Sequence, residues 1–256
     1  MSDIHCPNAT VVLPTYNESE NLPALVAAIG ALPMPIRVIV VDDNSPDGTG
    51  ELAEALSHQH GGIDVIHRKG KLGLGTAYTA GFRRALATSA DLILTMDADF
   101  SHDPGYLPAM LAASQRYDLV IGSRYVPGGG VLYWGPHRKL LSWGANTLAH
   151  IVLGLRARDC TAGFRCYRRA VLEAIDLDAI RANGYSYLIE MLYNCQQLGF
   201  QIGEVPITFA DRRLGQSKIS RNEILKAGRT VLRLAARRLV RKGRRVKATF
   251  ATAARL

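Results

Sequence analysis

Apolar and polar positions follow two alternating periods through the first hundred residues. Thr10-Val11-Val12-Leu13 is a short β-rich run closed by Pro14, which predicts a strand ending in a loop. Asn17 to Asn21 supplies helix-starting polar groups, and Leu22, Leu25, Val26 and Ile29 then recur at helical spacing. Ile36 to Val41 reads as a buried strand, stopped by Asp42-Asp43-Asn44-Ser45-Pro46-Asp47-Gly48. A helix over about 49–57, a strand over 64–67, a helix over about 76–87 and a strand over 92–96 follow. Strands and helices in turn predict a Rossmann-like α/β fold, its mostly parallel sheet covered by helices on both faces.

Such sheets bind ligands beyond the carboxyl ends of their strands. The loops after three of these strands, 14–18, 42–48 and 97–103, are all crowded with polar groups, so they define one candidate site. Past residue 120 the alternation loosens. Residues 118–122 read as a strand, 125–135 as a Gly-rich mobile loop, 138–153 as a helix and 200–207 as a late strand. No internal repeat is present.

Composition narrows the class. With 256 residues, 48% of them hydrophobic and 21% charged, the chain can bury a full core, which excludes disordered and collagen-like classes. No apolar run approaches the roughly 18 residues of a membrane span. The longest, 147–155, contains His150 and stops at Arg156. The first residues lack the basic-then-apolar pattern of a secretory signal, so the expected location is the cytoplasmic side. Cys6, Cys160, Cys166 and Cys195 show no zinc-type spacing and read as reduced, buried thiols.

Charge divides the chain. Residues 1–211 hold 16 basic and 21 acidic side chains, net −5, whereas 212–256 hold 15 basic and one acidic, Glu223, net +14. A basic tail on a slightly acidic body calls for a polyanion: nucleic acid, an anionic membrane surface or a phosphate-bearing substrate. Over 222–240, Ile224, Gly228, Val231, Ala235 and Leu239 stack on one face, and Arg221, Arg229, Arg233, Arg237 and Arg241 line another. The pattern predicts a basic amphipathic helix, either lying among lipid phosphates or packed on the body with its charges solvated. The expected division is therefore a catalytic domain over 1–220 and a basic helical tail over 221–256.

The candidate chemistry centres on Met96-Asp97-Ala98-Asp99. Two carboxylates one residue apart at a strand end can reach one hard cation, and Mg²⁺ or Mn²⁺ is commonly held by one or two carboxylates plus substrate phosphates. Asp43 suits ribose hydroxyls or a base edge, while Asp47 suits the start of the next helix. Gly70-Lys71-Leu72-Gly73-Leu74-Gly75-Thr76 fits neither a dinucleotide fingerprint nor a P-loop, and reads as a flexible turn. Arg124, Arg138, Arg212 and Lys218 are cations suited to a pyrophosphate.

Taken in order, these stretches resemble the inverting family 2 glycosyltransferases, more narrowly the polyprenyl-phosphate (dolichol-phosphate) mannosyltransferases. The matching motifs are Pro14-Thr15-Tyr16-Asn17-Glu18, Val41 to Thr49, and Asp97-Ala98-Asp99-Phe100-Ser101-His102. Gly122-Ser123-Arg124-Tyr125, Arg138 with Ser142 and Asn146, and Asp159 to Arg165 follow, then Gly184-Tyr185 with Ile189-Glu190, and Arg212 with Gly215, Ser217 and Lys218. The resemblance implies a GT-A fold and mannose transfer from GDP-mannose to a polyprenyl monophosphate. It places Pro14, Tyr16, Glu18, Val41 and Asp43 on the guanosine half of the donor, with Ala98 lining the donor site. Asp97 and Asp99 become metal ligands, with Ser101 or a water as the third, since many relatives carry Gln there. Arg124, Arg138, Ser142, Arg212 and Lys218 grip the donor pyrophosphate and the acceptor phosphate, so Asp99, Arg124, Arg138 and Lys218 are the catalytic candidates. Glu190 either contacts sugar or lipid phosphate or braces its loop.

Many relatives continue into membrane-spanning helices, whereas this chain has its basic tail. That resembles shorter relatives, including actinobacterial ones working beside a separate or fused membrane protein. Peripheral attachment to an anionic membrane is the expectation, with an integral membrane partner left open. Two alternatives stand beside this reading: a family 2 enzyme using UDP-glucose or another nucleotide sugar on the same lipid, and a non-catalytic membrane- or nucleic-acid-binding protein. The latter leaves the acidic loops unexplained, and the tail offers only Phe250 for base stacking, so no nucleic-acid partner is expected.

Overall fold

In a computed structural model, residues 7–211 and 226–238 are described. Four strands, β1 (Ala9–Thr15), β2 (Ile36–Asp42), β3 (Ile63–His67) and β4 (Leu92–Thr95), are joined by α1 (Leu22–Gly30), α2 (Thr49–His60) and α3 (Leu74–Leu86). They pair in parallel, in the order β3-β2-β1-β4. Both faces of this sheet are buried: Val11, Leu13, Val38 and Val40 point into one apolar layer, Val12, Ile39 and Val41 into the other. That explains why these strands read as continuous apolar runs. Helix α3 lies close on β1, because a Cβ on Gly81 would come within 2.3 Å of Val12 Cγ1.

β1 does not stop at Pro14, as the sequence suggested, but runs on through Thr15 with Pro14 opposite Val41. Met96 donates its N–H to Val12 O, so the alternate residue Pro14 faces the same neighbour, β4. β4 pairs with β1 only as far as Val12, and the missing proline N–H therefore costs no ladder bond.

The second half adds α4 (Leu107–Ala113), β5 (Leu119–Ser123), β6 (Gly130–Leu132), α5 (Pro136–Leu153), β7 (Arg165–Arg168), α6 (Arg169–Ala174), α7 (Tyr185–Gln197), β8 (Ile202–Pro206) and β9 (Thr208–Ala210). β7 inserts antiparallel between β4 and β5, and β8 closes the seven-stranded sheet. Arg165 in β7 is fully buried, its guanidinium donating to the carbonyls of Ala162, Leu188 and Cys160. The segment expected to be a mobile loop contains β6, which pairs in parallel with β9.

Residues 226–238 form a helix, α8. It packs on the body: Val231 and Leu234 are buried in the same layer as α3 and α7, and Arg238 Nη1 donates to Val152 O at 3.0 Å. Part of its basic face turns inward, since Arg233 and Arg237 pair with the buried Glu190. Of the two expected dispositions, packing on the body describes this stretch. Arg221, Ile224, Leu239 and Arg241 lie outside the described residues, as do Cys6, Arg212 and Lys218. Cys160, Cys166 and Cys195 are buried, with burial pushing each thiol up to about 12, so they pack as neutral groups. Among the described residues, no helix is long and apolar enough to cross a membrane.

Candidate active site

The three polar loops meet at the carboxyl edge of β1, β2 and β4, and a fourth, after β3, joins them. The first two are tied together. Thr15 and Ser45 hydroxyls donate to Asp42 Oδ1, at 2.9 and 2.5 Å. The Glu18 N–H donates to Thr49 Oγ1, and the Ser19 N–H to Asp47. Asp47 also accepts from the backbone N–H and hydroxyl of Thr49, the first residue of α2, but it does so from one position before the N-cap, which is Gly48 and not Asp47 as expected. Burial alone would raise its pKa, but these hydrogen bonds hold it below the usual carboxylate value. Asn17, Asn44 and Phe100, one in each loop, adopt left-handed backbone conformations with φ of 57° to 60°. For the aromatic Phe100 that is an uncommon, strained state, of the kind that clusters at functional sites.

The fourth loop corrects two expectations. Asp43 does not stand alone at the site: Arg68 Nη1 lies 2.6 Å from its Oδ1 and both side chains are buried, so any ligand at Asp43 meets this pair. Burial pushes the Asp43 carboxyl above its usual value, and Arg68 pulls the other way. The glycine-rich turn is also fixed: Lys71 Nζ sits 3.9 Å above the Tyr16 ring, and Asn183 ties the turn down by accepting from Gly75 N–H and donating to Leu72 O. Arg68 and Lys71 were missed as site residues. Their place after β3, whose end faces the same sheet edge, was the available signal.

The carboxylate turn is held from three sides. Asp97 has about a third of its side chain exposed, and the buried Tyr78 hydroxyl donates to its Oδ1 at 3.4 Å. His102 is buried, and burial pushes its pKa down, so the ring is neutral and its Nδ1 accepts the Asp97 N–H at 3.1 Å. Asp99 Oδ1 accepts both the Ser101 N–H, at 3.0 Å, and the Ser101 hydroxyl, at 2.5 Å. Ser101, expected as a third ligand, is itself buried, and its hydroxyl is turned onto Asp99. Among the described residues, no group of three or more His, Cys, Asp or Glu is placed to hold a metal ion. The donor set is two hard carboxylates on one turn. It fits a Mg²⁺- or Mn²⁺-type ion that completes its shell with phosphate and water, and does not fit a closed structural metal site.

The guanidinium groups come from the end of β5 and from α5. Arg124 is clamped on the fully buried Asp159: Nε and Nη2 each donate to a carboxylate oxygen at 2.7 Å, and Nη2 also donates to Thr161 Oγ1. Burial pushes Asp159 up, and Arg124 overrides this and holds it below the usual carboxylate range. Arg138 donates to Asp211 at 2.7 Å and lies over the Trp134 ring. Ser142 accepts from the Tyr125 hydroxyl at 2.8 Å, and Asn146, one turn on, donates to Ser142 O and Thr161 Oγ1. Glu190 is fully buried, accepting the Arg181 and Ala182 N–H groups and Arg233 Nη2. That geometry matches the bracing alternative. Pro14, Val41 and Ala98 lie at the ends of β1, β2 and β4, with Val41 and Ala98 buried beneath the loops.

Comparison with known proteins agrees with this architecture. The family described as Glycosyl transferase family 2 matches residues 10–176, and the chain belongs to it. It is 47% identical over 209 residues to an undecaprenyl-phosphate mannosyltransferase of Micrococcus luteus, covering 82% of this chain and 86% of that one. It is also 47% identical over 219 residues to a polyprenol monophosphomannose synthase of Mycolicibacterium smegmatis, covering 85% and 83%. Among solved structures, a mannosyltransferase of Pyrobaculum calidifontis in complex with GDP-Man and Mn²⁺ superposes with a TM-score of 0.54 at 16% identity. That match covers 98% of this chain and 80% of the other. The fold is GT-A, and the chain is a glycosyltransferase.

Proposed function

We propose that this protein transfers mannose from GDP-mannose to a polyprenyl monophosphate, giving polyprenyl β-phosphomannose and GDP. The observation that carries the reading is the braced Asp97–Asp99 turn, accompanied by the buried Arg124 on Asp159, in a chain 47% identical to two polyprenyl-phosphate mannosyl enzymes. The acceptor phosphate, with a second pKa near 6, is largely dianionic at neutral pH. It needs no general base. One of its oxygens bonds to the anomeric carbon as the bond to GDP breaks, GDP leaves with the electron pair, and the configuration inverts.

The chain's task is electrostatic: to hold two anionic groups together and steady the departing diphosphate. Tyr16, Glu18 and Asp43, with Pro14 and Val41, bind the guanosine half, and Arg68 and Lys71 join them. Asp97 and Asp99 hold Mg²⁺ or Mn²⁺, with Ser101 bracing Asp99; the bound ion supplies positive charge to the diphosphate leaving group. Arg124, Arg138 and Ser142 bind the phosphates, and the family resemblance assigns Arg212 and Lys218, outside the described residues, to the same role. The test is metal-dependent movement of labelled mannose into lipid; label entering only from UDP-glucose would overturn the sugar assignment.

Peripheral attachment at the cytoplasmic membrane face belongs to the same proposal, but the element we assign to it is α5. Leu140, Leu141, Trp143, Leu148 and Ile151 on α5 are each more than half exposed, and Tyr133 just before it is 85% exposed. Ser142 and Asn146 on the same helix bond Tyr125 and Thr161, and Thr161 is also a partner of Arg124. An apolar row with aromatic residues suits a helix lying in a lipid interface beside a lipid substrate. The Leu140→Asp, Leu141→Asp double variant should sediment with anionic vesicles at least about tenfold less than the unmodified protein, given the apolar burial lost per leucine. Unchanged sedimentation would place the contact elsewhere.

A further inference from the structure

Trp134 lies between β6 and α5 and was singled out by no motif. The residue is 7% exposed, yet its Nε1 has no hydrogen-bond partner among the described residues. Buried tryptophan N–H groups ordinarily find an acceptor, so an orphan of this kind requires an explanation. The ring has a defined setting. Arg138 Cζ lies 4.2 Å from its centroid, and Arg138 Nε is likewise buried with no partner among the described residues. Phe209 packs edge-on against Trp134 at 5.5 Å and against His102 at 5.2 Å. Arg124 Cζ is 5.6 Å from both the Trp134 and Phe209 centroids. An aromatic row thus runs from Arg138 to His102, whose Nδ1 holds the Asp97 N–H. Two guanidinium groups and two unpartnered N–H donors gather around one ring, with Asp211 as the carboxylate on Arg138 and Asp159 as that on Arg124. Each guanidinium charge is matched by a carboxylate, so what is in surplus here is N–H donors, and donors converging on one place suit an oxyanion ligand.

We propose that Trp134 is a phosphate-binding residue of the acceptor site. Its Nε1–H donates to an acceptor phosphate oxygen, while its ring face holds Arg138 in the orientation that meets the same phosphate. The inference rests on the mannosyltransferase reading for the identity of the acceptor, but not for the presence of a phosphate.

Two experiments on the full chain test it. Trp134→Phe keeps an aromatic platform for Arg138 and removes only the N–H donor. It should raise KM for a short-chain polyprenyl phosphate about tenfold, the order expected for a lost hydrogen bond to a charged group. KM for GDP-mannose should stay within about twofold, since the donor nucleotide is held by the opposite loops. An unchanged acceptor KM overturns the proposal, as does an equal rise in both KM values, which is the mark of a merely structural role. The second experiment leaves Trp134 intact. The chain has two tryptophans and ten tyrosines, so in Trp143→Phe, excited at the red edge where tyrosine does not absorb, Trp134 is the one tryptophan read. Adding short-chain polyprenyl phosphate without donor should shift its fluorescence, and the matching polyprenol without phosphate should not. No shift with the phosphate, or equal shifts with both lipids, overturns the proposal. A phosphate-specific shift in a protein that transfers no mannose would support it while overturning the proposed sugar transfer.

Discussion

Asp99→Ala is expected to lower mannosyl transfer by about a thousandfold or more, as loss of several kcal/mol of charge stabilisation requires. The variant removes one of the two carboxylates that the donor set offers a divalent ion. It also frees Ser101, whose N–H and hydroxyl both bond Asp99 Oδ1. Ser101→Ala separates these effects, since it deletes the hydroxyl bond and leaves the carboxylate. Its expected loss is about tenfold, the size of one hydrogen bond to a charged group. Initial-rate assays with thermal melts read both variants. Mn²⁺ binding in the presence of GDP, followed by electron paramagnetic resonance, should be lost in Asp99→Ala and retained in Ser101→Ala. Near-normal turnover by Asp99→Ala in a folded protein would defeat the metal assignment.

The second large effect concerns stability as well as rate. Asp159 is fully buried and is the counter-ion of Arg124, itself 8% exposed. Asp159→Ala would strand a buried guanidinium, at a cost of about 3–5 kcal/mol. In a domain of this size that lowers the melting temperature on the order of 10 °C. Transfer should fall with it, because Arg124 loses the two-point clamp that aims it. The pH dependence follows from the lowered pKa of Asp159. The unfolded chain binds its proton near pH 3.9, the folded protein only at lower pH. The pair's stabilisation is therefore complete above about pH 5 and is lost as the pH falls through the folded value. Differential scanning calorimetry from pH 3 to 7 should show the two proteins converging at the acid end. A constant gap down to pH 3 would show that Asp159 acts by packing and not by charge.

How far the fold was legible depended on where the apolar period survived. In the first half, each strand sits between two covered faces and each helix shows one apolar stripe, so element order, sheet edge and loop cluster all followed from spacing. β7 escaped because Arg165-Cys-Tyr-Arg168 carries no apolar run; its buried arginine is satisfied by three distant carbonyls that no local pattern reveals. β6 escaped because its partner β9 lies far along the chain, and a three-residue strand is indistinguishable from loop. The amphipathic pattern of α8 was legible, but not its docking partner, since Glu190 is a single acid inside an apolar helix.

The candidate site shows the same division. Carboxylates at strand ends announce themselves, and so do arginines in polar loops. What charge spacing does not carry is pairing: Arg68 on Asp43, Lys71 on Tyr16, Asp159 under Arg124. Nor does it carry the orphan donors around Trp134, which become visible only when every buried polar atom is matched to a partner.

Organic-phase label counting tests the central claim most directly. Purified protein would receive radiolabelled GDP-mannose and a short polyprenyl phosphate, with Mg²⁺, with Mn²⁺ and with chelator, and with labelled UDP-glucose in parallel. The account predicts that mannose label enters the organic phase with either ion, that chelation abolishes it, and that UDP-glucose delivers none. Label arriving from UDP-glucose alone, or mannose transfer that persists in full under chelation, would contradict it.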